Sequence, residues 1–220
     1  MIKAGKVSVN KQVVTELGFK ADENDLIEVE GKLLKNEEKV VYLLNKPKNV
    51  ISSASDDRGR KTVTDIIDSP YRLYPLGRLD FDSSGLILLS NDGELMQRLI
   101  HPKFEVEKTY EVTLDGMIRE DELDKIRKGV RVEDYVTAPA KVELLRTNQN
   151  KYTSFLEVTI HEGRNREIRK MFKAIGYKVV KLHRIREANL ELGNLKSGEY
   201  RRLKPFEVKK LKAYLDRSDD

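Results

Sequence analysis

Residues 77–93 read GRLDFDSSGLILLSNDG, and this stretch decides how the rest of the chain is interpreted. Its second half is apolar and predicts a buried strand over residues 85–90, closed by Asn-Asp-Gly, which is a strong turn signal. Its first half places Asp80 in a loop directly before that strand, two residues after Arg78. A carboxylate held in a loop against a strand is a common position for catalytic chemistry. We therefore predict a functional site around Asp80.

The composition is typical of a globular protein. The 220 residues are 39% hydrophobic and 36% charged, which allows one large or two small domains. No apolar stretch approaches the length of a transmembrane helix, and the first residues lack the apolar core of a signal peptide, so we predict a cytoplasmic protein without a membrane partner. The absence of Cys and the dispersal of three His residues exclude thiolate sites and argue against a zinc enzyme, and no metal site is predicted.

The positive charge is concentrated in one segment. The whole chain carries a net charge of +5, whereas residues 161–186 contain nine basic and two acidic residues, a net charge of +7. Such a concentration is the pattern expected of a surface that binds a polyanion. The alternative is a solvated helix face with no ligand.

A helix is predicted over residues 166–175 of this segment, with Asn165 as its N-cap and Gly176 just beyond its end. Cations on its exposed face could contact phosphates. These cations are Arg166, Lys170 and Lys173. Arg169 lies at the boundary with the buried face, where an Arg can keep its stem packed and its head group in a cleft.

The order of elements predicts two domains and an α+β fold. Residues 1–36 form a small module with a hairpin over residues 5–14, and residues 35–39 are a charged linker. The second domain covers residues 37–216, with strands and helices interspersed rather than in strict βαβ alternation. Near its end we predict two separate strands, close to residues 178–182 and 186–192.

Three signatures resemble the RsuA/RluB-type ribosomal RNA pseudouridine synthases. Residues 77–93 are similar, nearly residue for residue, to the family's catalytic motif, and residues 163–172 are similar to its signature G-R-N-R-Q-[VI]-R-R-M-F, with Glu167 in place of the usual Gln. The signature between them is the Lys-Thr-Tyr that ends at Tyr110, and the three occur in the family's order. Residues 179–184 also resemble the strand that follows in the family. Residues 49–67 look like the RluB branch, which acts on large-subunit ribosomal RNA.

The start of the chain also resembles a known module. The sequence GKVSVN at residues 5–10 is similar to the second half of an S4 RNA-binding domain, without the helices that precede it in that domain. The resemblance therefore implies an incomplete, S4-like amino-terminal module. It further implies a catalytic domain with a mixed, mostly antiparallel sheet flanked by helices.

The resemblance assigns a role to each candidate site residue. It implies that Asp80 is the catalytic residue, that Arg169 pairs with it, and that Tyr110 stacks on an extruded uridine. Leu182 would pack on the other face of the uracil ring, and Arg78 would fill the vacated space or hold a flanking phosphate. The expected partner is ribosomal RNA, most simply of the large subunit, bound by a monomer. No cofactor is implied, because the isomerisation is redox-neutral.

Three other interpretations of these residues remain open at this point. Asp80 could simply cap a turn. Asp80 and Asp82 could form a D-x-D metal site for phosphoryl transfer, although Arg78 would compete with a cation there. The chain could also be a non-catalytic factor that binds ribosomal RNA or assists ribosome assembly.

Overall fold

The structure, a computed structural model, describes residues 1–22, 24–34 and 37–217. The chain divides into two compact units, Met1–Glu38 and Lys39–Asp220. Residues 35 and 36 of the predicted linker lie outside the described residues, and so does the predicted domain boundary next to them.

The amino-terminal unit is a small antiparallel sheet. Its described residues form a 3₁₀ turn at Ile2–Ala4 and four strands in the order β2-β1-β3-β4. The strands are β1 (Val7–Val9), β2 (Gln12–Val13), β3 (Ile27–Val29) and β4 (Lys32–Leu33). Asn10 and Lys11 join β1 to β2 with φ angles of 51° and 69°. Two residues with positive φ match the right-handed twist of a hairpin, as the sequence predicts for this segment.

The larger unit is built on one mixed sheet. Nine of the strands found among the described residues belong to it, in the order β11-β12-β8-β13-β7-β5-β15, with β14 paired to β13 and β6 paired to β7. The strands of this unit are β5 (Val41–Lys46), β6 (Tyr74–Leu76), β7 (Ser84–Ser90), β8 (Lys108–Asp115), β9 (Arg131–Val132), β10 (Tyr135–Val136), β11 (Lys141–Asn148), β12 (Thr153–Ile160), β13 (Lys178–Glu187), β14 (Leu190–Glu191) and β15 (Tyr200–Arg202). Strands β9 and β10 form a separate hairpin.

Strands β7 and β13 lie side by side at the centre of this sheet and run parallel. The other strand pairs among its described residues are antiparallel. The predicted α+β class with a mixed, mostly antiparallel sheet is therefore confirmed. The central strand β7 is buried along its full length, and so is its neighbour β5. A strand buried on both faces must be covered by other elements on both sides.

Helices supply that cover, and alternate residues of each central strand face different helices. Ile87 of β7 belongs to the same apolar cluster as Leu123 and Phe172, whereas Leu88 belongs to the cluster of Leu99 and Leu211. The helices are α1 (Gly93–Ile100), α2 (Glu120–Lys128), α3 (Glu167–Ala174) and α4 (Pro205–Asp216), with short 3₁₀ turns at Thr64–Ile66 and Pro102–Phe104. Helices α2 and α3 thus cover one face, and α1 and α4 cover the other.

Two local predictions about the basic segment are wrong. Asn165 does not cap helix α3. Arg166 occupies the N-cap with φ 53°, and the side chain of Glu167 accepts hydrogen bonds from the preceding loop. The two strands predicted near 178–182 and 186–192 are one continuous strand, Lys178–Glu187, followed by a short hairpin partner. Register shifts in its pairing with β8 let this strand continue where its side-chain alternation is interrupted.

In the part of the chain that the structure describes, none of the helices combines the length and the apolar character needed to cross a membrane.

Candidate active site

Asp80 lies in a short loop between β6 and β7, and four hydrogen bonds with one neighbouring segment fix that loop, one of them from the amide of Leu79 to the Ser52 hydroxyl at 3.1 Å. The Ser52 hydroxyl bonds the carbonyl of Leu79 at 2.8 Å, and the amide of Asn49 bonds the carbonyl of Phe81 at 2.8 Å. Lys46 Nζ donates to the carbonyl of Ser83 at 2.8 Å. The loop before the central strand is therefore held by Lys46 at the end of β5 and by the residues that directly follow it.

Lys46 is unusual because it is a fully buried cation beneath this loop. Its ammonium group also donates to the carbonyl of Pro47 at 3.1 Å. Burial lowers the pKa of Lys46 to about 8, against the opposing effect of Asp80 and Asp82. A structural role for Lys46 was not predicted from the sequence. Its signal was a Lys at the end of an apolar strand, directly before a Pro.

Two guanidinium groups reach the loop from the basic segment. Arg166 Nη1 and Arg169 Nε each lie 3.8 Å from Asp80 Oδ2. Their other nitrogens are closer to Asp82, with Arg169 Nη2 3.1 Å and Arg166 Nη2 3.3 Å from its Oδ2. Arg169 is further fixed by donating to the carbonyl of Val179 at 3.0 Å. The two carboxylates therefore share two guanidinium groups, which occupy the place that a metal ion would need between them.

The described residues contain no group of three His, Asp or Glu side chains arranged to hold a metal ion.

A cavity of about 250 Å³ opens beside Asp80. This volume is just below the range for drug-sized ligands and suits a ligand the size of a single planar ring system. Predicted site residues that line it are Arg78, Asp80, Tyr110, Arg166 and Leu182. Tyr110 of β8 and Leu182 of β13 are diagonal neighbours on adjacent strands, since Tyr110 pairs with Arg184 and Leu182 pairs with Val112. The sheet thus presents an aromatic ring and an aliphatic side chain to the same space.

Arg184 also lines this cavity, and its role there was not predicted from the sequence. It is 1% exposed, donates from Nε to the carbonyl of Leu86 at 2.7 Å, and pairs with the buried Glu187 at 3.2 Å. Burial raises the pKa of Tyr110, so its hydroxyl stays protonated at neutral pH and can donate a hydrogen bond. The buried charge of Arg184 needs the Leu86 carbonyl and Glu187 as partners, because an unpaired buried charge costs much free energy.

Glu167 holds the loop that carries the cavity's outer arginines. Its Oε2 accepts hydrogen bonds from the amides of Gly163 and Arg164, both at 2.8 Å. Burial raises the pKa of Glu167, and the adjacent Glu162 raises it further. Arg164 in turn lies over the ring of Tyr135 at 4.3 Å. The position where this chain has Glu instead of Gln is therefore a structural support for the loop.

The remaining predicted residues lie in a second depression, called here the basic cleft, between helix α3 and the β9–β10 hairpin. It has a volume of about 530 Å³. Its charged residues are Arg131, Glu133, Arg166, Arg169, Lys170 and Lys173. Lys170 and Lys173 therefore line this cleft and not the cavity beside Asp80, and Lys170 pairs with Glu133 at 3.1 Å. Arg166 belongs to both places, which joins the basic cleft to the cavity.

Comparison with known proteins places these features in a family. The family model described as RNA pseudouridylate synthase matches residues 40–174. The ribosomal large subunit pseudouridine synthase B of Bacillus subtilis (strain 168) is 52% identical over 217 residues, covering 98% of this chain and 89% of that protein. The ribosomal large subunit pseudouridine synthase E of Vibrio parahaemolyticus is 40% identical over 176 residues, covering 74% and 73%. A crystal structure of a pseudouridylate synthase superimposes with a TM-score of 0.72 at 36% identity, covering 96% of this chain and 90% of that one.

Proposed function

Because this chain belongs to the RNA pseudouridylate synthase family, as a ribosomal RNA-modifying enzyme of the RluB type, we propose that it converts a uridine of large-subunit ribosomal RNA into pseudouridine. We propose Asp80 as the catalytic carboxylate. The observation that carries the proposal is the position of Asp80. It lies in a fixed loop at the wall of a ring-sized cavity, 3.8 Å from two guanidinium groups.

The uridine must leave its stacked or paired position to reach a carboxylate inside a cavity. Tyr110 and Leu182 would hold the extruded uracil between them, and stacking on an aromatic ring is worth on the order of 1–3 kcal/mol per base. That gain is comparable to the few kcal/mol that extrusion costs. Arg78, exposed at the cavity's edge, would occupy the vacated space or hold the flanking phosphate.

Asp80 would promote cleavage of the bond between C1′ and N1, either by attack at C1′ or by removing the 2′ proton. The uracil then rotates within the cavity and rejoins C1′ through C5, and the C5 proton leaves while N1 regains one. No electrons are exchanged with an outside acceptor, so the residues need only bind, orient and move protons. Arg169 would position the carboxylate of Asp80, because a planar guanidinium group presents its N–H donors in a rigid arrangement that matches a carboxylate.

Cations of the basic cleft would contact the RNA backbone outside the cavity. Lys170, Lys173 and Arg166 are the residues proposed for this contact, in a depression whose cations outnumber its one Glu. The amino-terminal unit is proposed to be a partial S4-like RNA-binding module, and the enzyme is proposed to act as a monomer.

The test is the variant Asp80→Asn, which keeps the size of the side chain and removes its charge. Turnover of RNA carrying tritium at uridine C5 should vanish while the melting temperature stays close to that of the unmodified chain. Turnover within about tenfold of the unmodified chain would contradict the role of Asp80, since loss of a catalytic group costs more than that. Mapping pseudouridine in ribosomal RNA from cells with and without the gene would identify the position. An unchanged map would favour the non-catalytic RNA-binding alternative.

A further inference from the structure

A third depression is also lined by Asp80, and it is called here the flanking cleft. Its volume is about 560 Å³. Residues that give it its chemistry are Ser52, Arg60, Arg78, Phe81, Arg164 and Asn165. Asp80, Arg78 and Arg164 line both this cleft and the cavity beside Asp80. A chain that places one unit in the cavity would therefore run directly into the flanking cleft.

Phe81 is an aromatic residue of this cleft, which a surface that bound only phosphate would not need. Phe81 directly follows Asp80 in the sequence, and the residue is 47% exposed. The amide of Ser83 donates to the carbonyl of Asp80 at 3.0 Å, which closes a turn and puts Phe81 at its tip. The amide of Asn49 donates to the carbonyl of Phe81 at 2.8 Å. The ring is thus presented to solvent by a backbone that is held on both sides.

The cations around this ring differ in how strongly they are already bound. Arg60 is held by Asp56 through contacts of 2.6 Å and 3.1 Å, and Arg164 lies over Tyr135. Arg166, which also lines this cleft, is paired with Asp80 and Asp82. For Arg78, the described part of the structure gives no ion pair with an acidic side chain, and Arg78 is exposed. Arg78 is therefore the cation of the flanking cleft that is most available to an incoming anion.

An exposed aromatic ring beside available guanidinium groups matches the chemistry of a nucleotide, which offers a flat base and a charged phosphate. Proteins that bind single-stranded nucleic acid combine these two elements. We propose that Phe81 stacks on the base next to the extruded uridine while Arg78 contacts the intervening phosphate. This inference rests on the proposed function, and it adds a second nucleotide subsite to it.

The physical role of this subsite follows from extrusion. When a uridine leaves the stack, its neighbour loses a stacking partner, and that loss is part of the cost of extrusion. The ring of Phe81 would replace the lost partner. Phe81 would then be a positioning residue, because it acts on the neighbouring base and does not touch the atoms that react.

The experiment measures binding of a short, fluorescein-labelled, single-stranded RNA with one central uridine between purines. Phe81→Leu keeps an apolar side chain and removes the ring, and Phe81→Tyr restores the ring. Phe206→Leu is the matched control, because Phe206 is also an exposed aromatic residue of the same unit but lines none of the three depressions described. Each variant is also measured with an RNA that has abasic sites on both sides of the uridine.

Phe81→Leu should weaken binding of the intact RNA about fivefold or more, as expected for one lost stacking contact. Phe81→Tyr and Phe206→Leu should bind as the unmodified chain does, and the abasic RNA should bind Phe81→Leu and the unmodified chain equally. Unchanged affinity in Phe81→Leu, or an equal loss on the abasic RNA, would overturn the subsite. Since no turnover is measured, either result leaves the role of Asp80 intact, and tritium release from uridine C5 tests that role separately.

Discussion

The Nε atom of Arg169 lies 3.8 Å from Oδ2 of Asp80, which joins helix α3 to the loop before the central strand. The same guanidinium group donates to the carbonyl of Val179 at 3.0 Å and to the hydroxyl of Ser83 at 3.3 Å. These bonds fix the plane of the group, and the side chain is only 13% exposed. Arg169 is therefore a rigid partner of the carboxylate.

This geometry predicts that Arg169 cannot be replaced by another cation without loss. Arg169→Met should lower kcat about a hundredfold or more, as expected when a fixed charged donor is removed from an active site. Arg169→Lys should also lower kcat, because one ammonium group cannot reach Asp80, Asp82 and the oxygens of Val179 and Ser83 together. Tritium release from uridine C5 gives kcat and KM. Lys173→Met, on the exposed face of the same helix, should change KM and leave kcat unaltered. A kcat of Arg169→Lys equal to that of the unmodified chain would contradict the prediction.

We further predict that activity does not depend on a metal ion held between Asp80 and Asp82. Both carboxylates already lie within 4 Å of Arg166 and Arg169, so a divalent cation would have to displace two guanidinium groups. Turnover should survive excess EDTA when the RNA has been refolded without magnesium. A loss that is reversed only by a divalent ion bound to the protein would instead favour the D-x-D metal site.

We predict opposite effects on RNA binding when the lysines and the glutamate of the basic cleft are neutralised. Lys170→Gln combined with Lys173→Gln should weaken RNA binding and flatten its salt dependence by up to about two units, one for each lost phosphate contact. Glu133→Gln should strengthen binding, because it frees Lys170 from its 3.1 Å ion pair and removes a negative charge. Filter binding over a salt series measures both. Glu143→Gln, on strand β11, is the control for net charge alone, and an equal gain in that variant would show that the cleft has no special role.

Local signals in the sequence predicted the frame of the site well. The apolar run before Asn-Asp-Gly became the buried strand β7, and Asp92 of that turn caps helix α1 by accepting from the amide of Leu95. Alternation and turn residues act over a few positions, so they can be recognised without the fold. The resemblance to a family then supplied the sheet type, which periodicity alone does not determine.

Features that depend on distant residues were missed. Lys46 and Arg184 are charged residues at fully buried positions, and they are satisfied by carbonyls of Ser83 and Leu86 that the fold brings to them. Asn165 has the right chemistry for an N-cap, but the N-cap position falls one residue later, on Arg166 with φ 53°, and no side chain caps the helix there. The local sequence alone does not determine which of several neighbouring residues takes the N-cap position of a helix.

Gly85 is predicted to be the residue of the catalytic motif that tolerates replacement least for structural reasons. A Cβ there would lie 2.2 Å from the carbonyl oxygen of Arg184, on the parallel partner strand, and φ is +109°. Gly85→Ala should therefore lower the free energy of unfolding by on the order of 3 kcal/mol or more. Gly176→Ala is the control, since Gly176 has φ +91° with nothing within 4 Å of a Cβ, and it should cost only about 1–2 kcal/mol of left-handed strain. Urea unfolding of both variants separates the clash from the strain, and equal losses would show that the strands can move apart.

The burial of Lys46 predicts that its contribution to the free energy of unfolding rises with pH. Its folded pKa is lowered to about 8 by burial, whereas in the unfolded chain the pKa returns to its ordinary value of 10.5. Between these two values the unfolded chain binds more protons, so the contribution of Lys46 to stability rises with pH, by about 3 kcal/mol in total. The free energy of unfolding of the unmodified chain, minus that of Lys46→Met, should therefore become more positive from pH 7 to pH 10. Lys48→Met, at an exposed neighbouring position, is the control for the loss of a lysine charge from the surface. A difference for Lys46 that stays constant or falls would show that its ammonium group is solvated in the folded chain, and would remove its role as the buried support beneath the Asp80 loop.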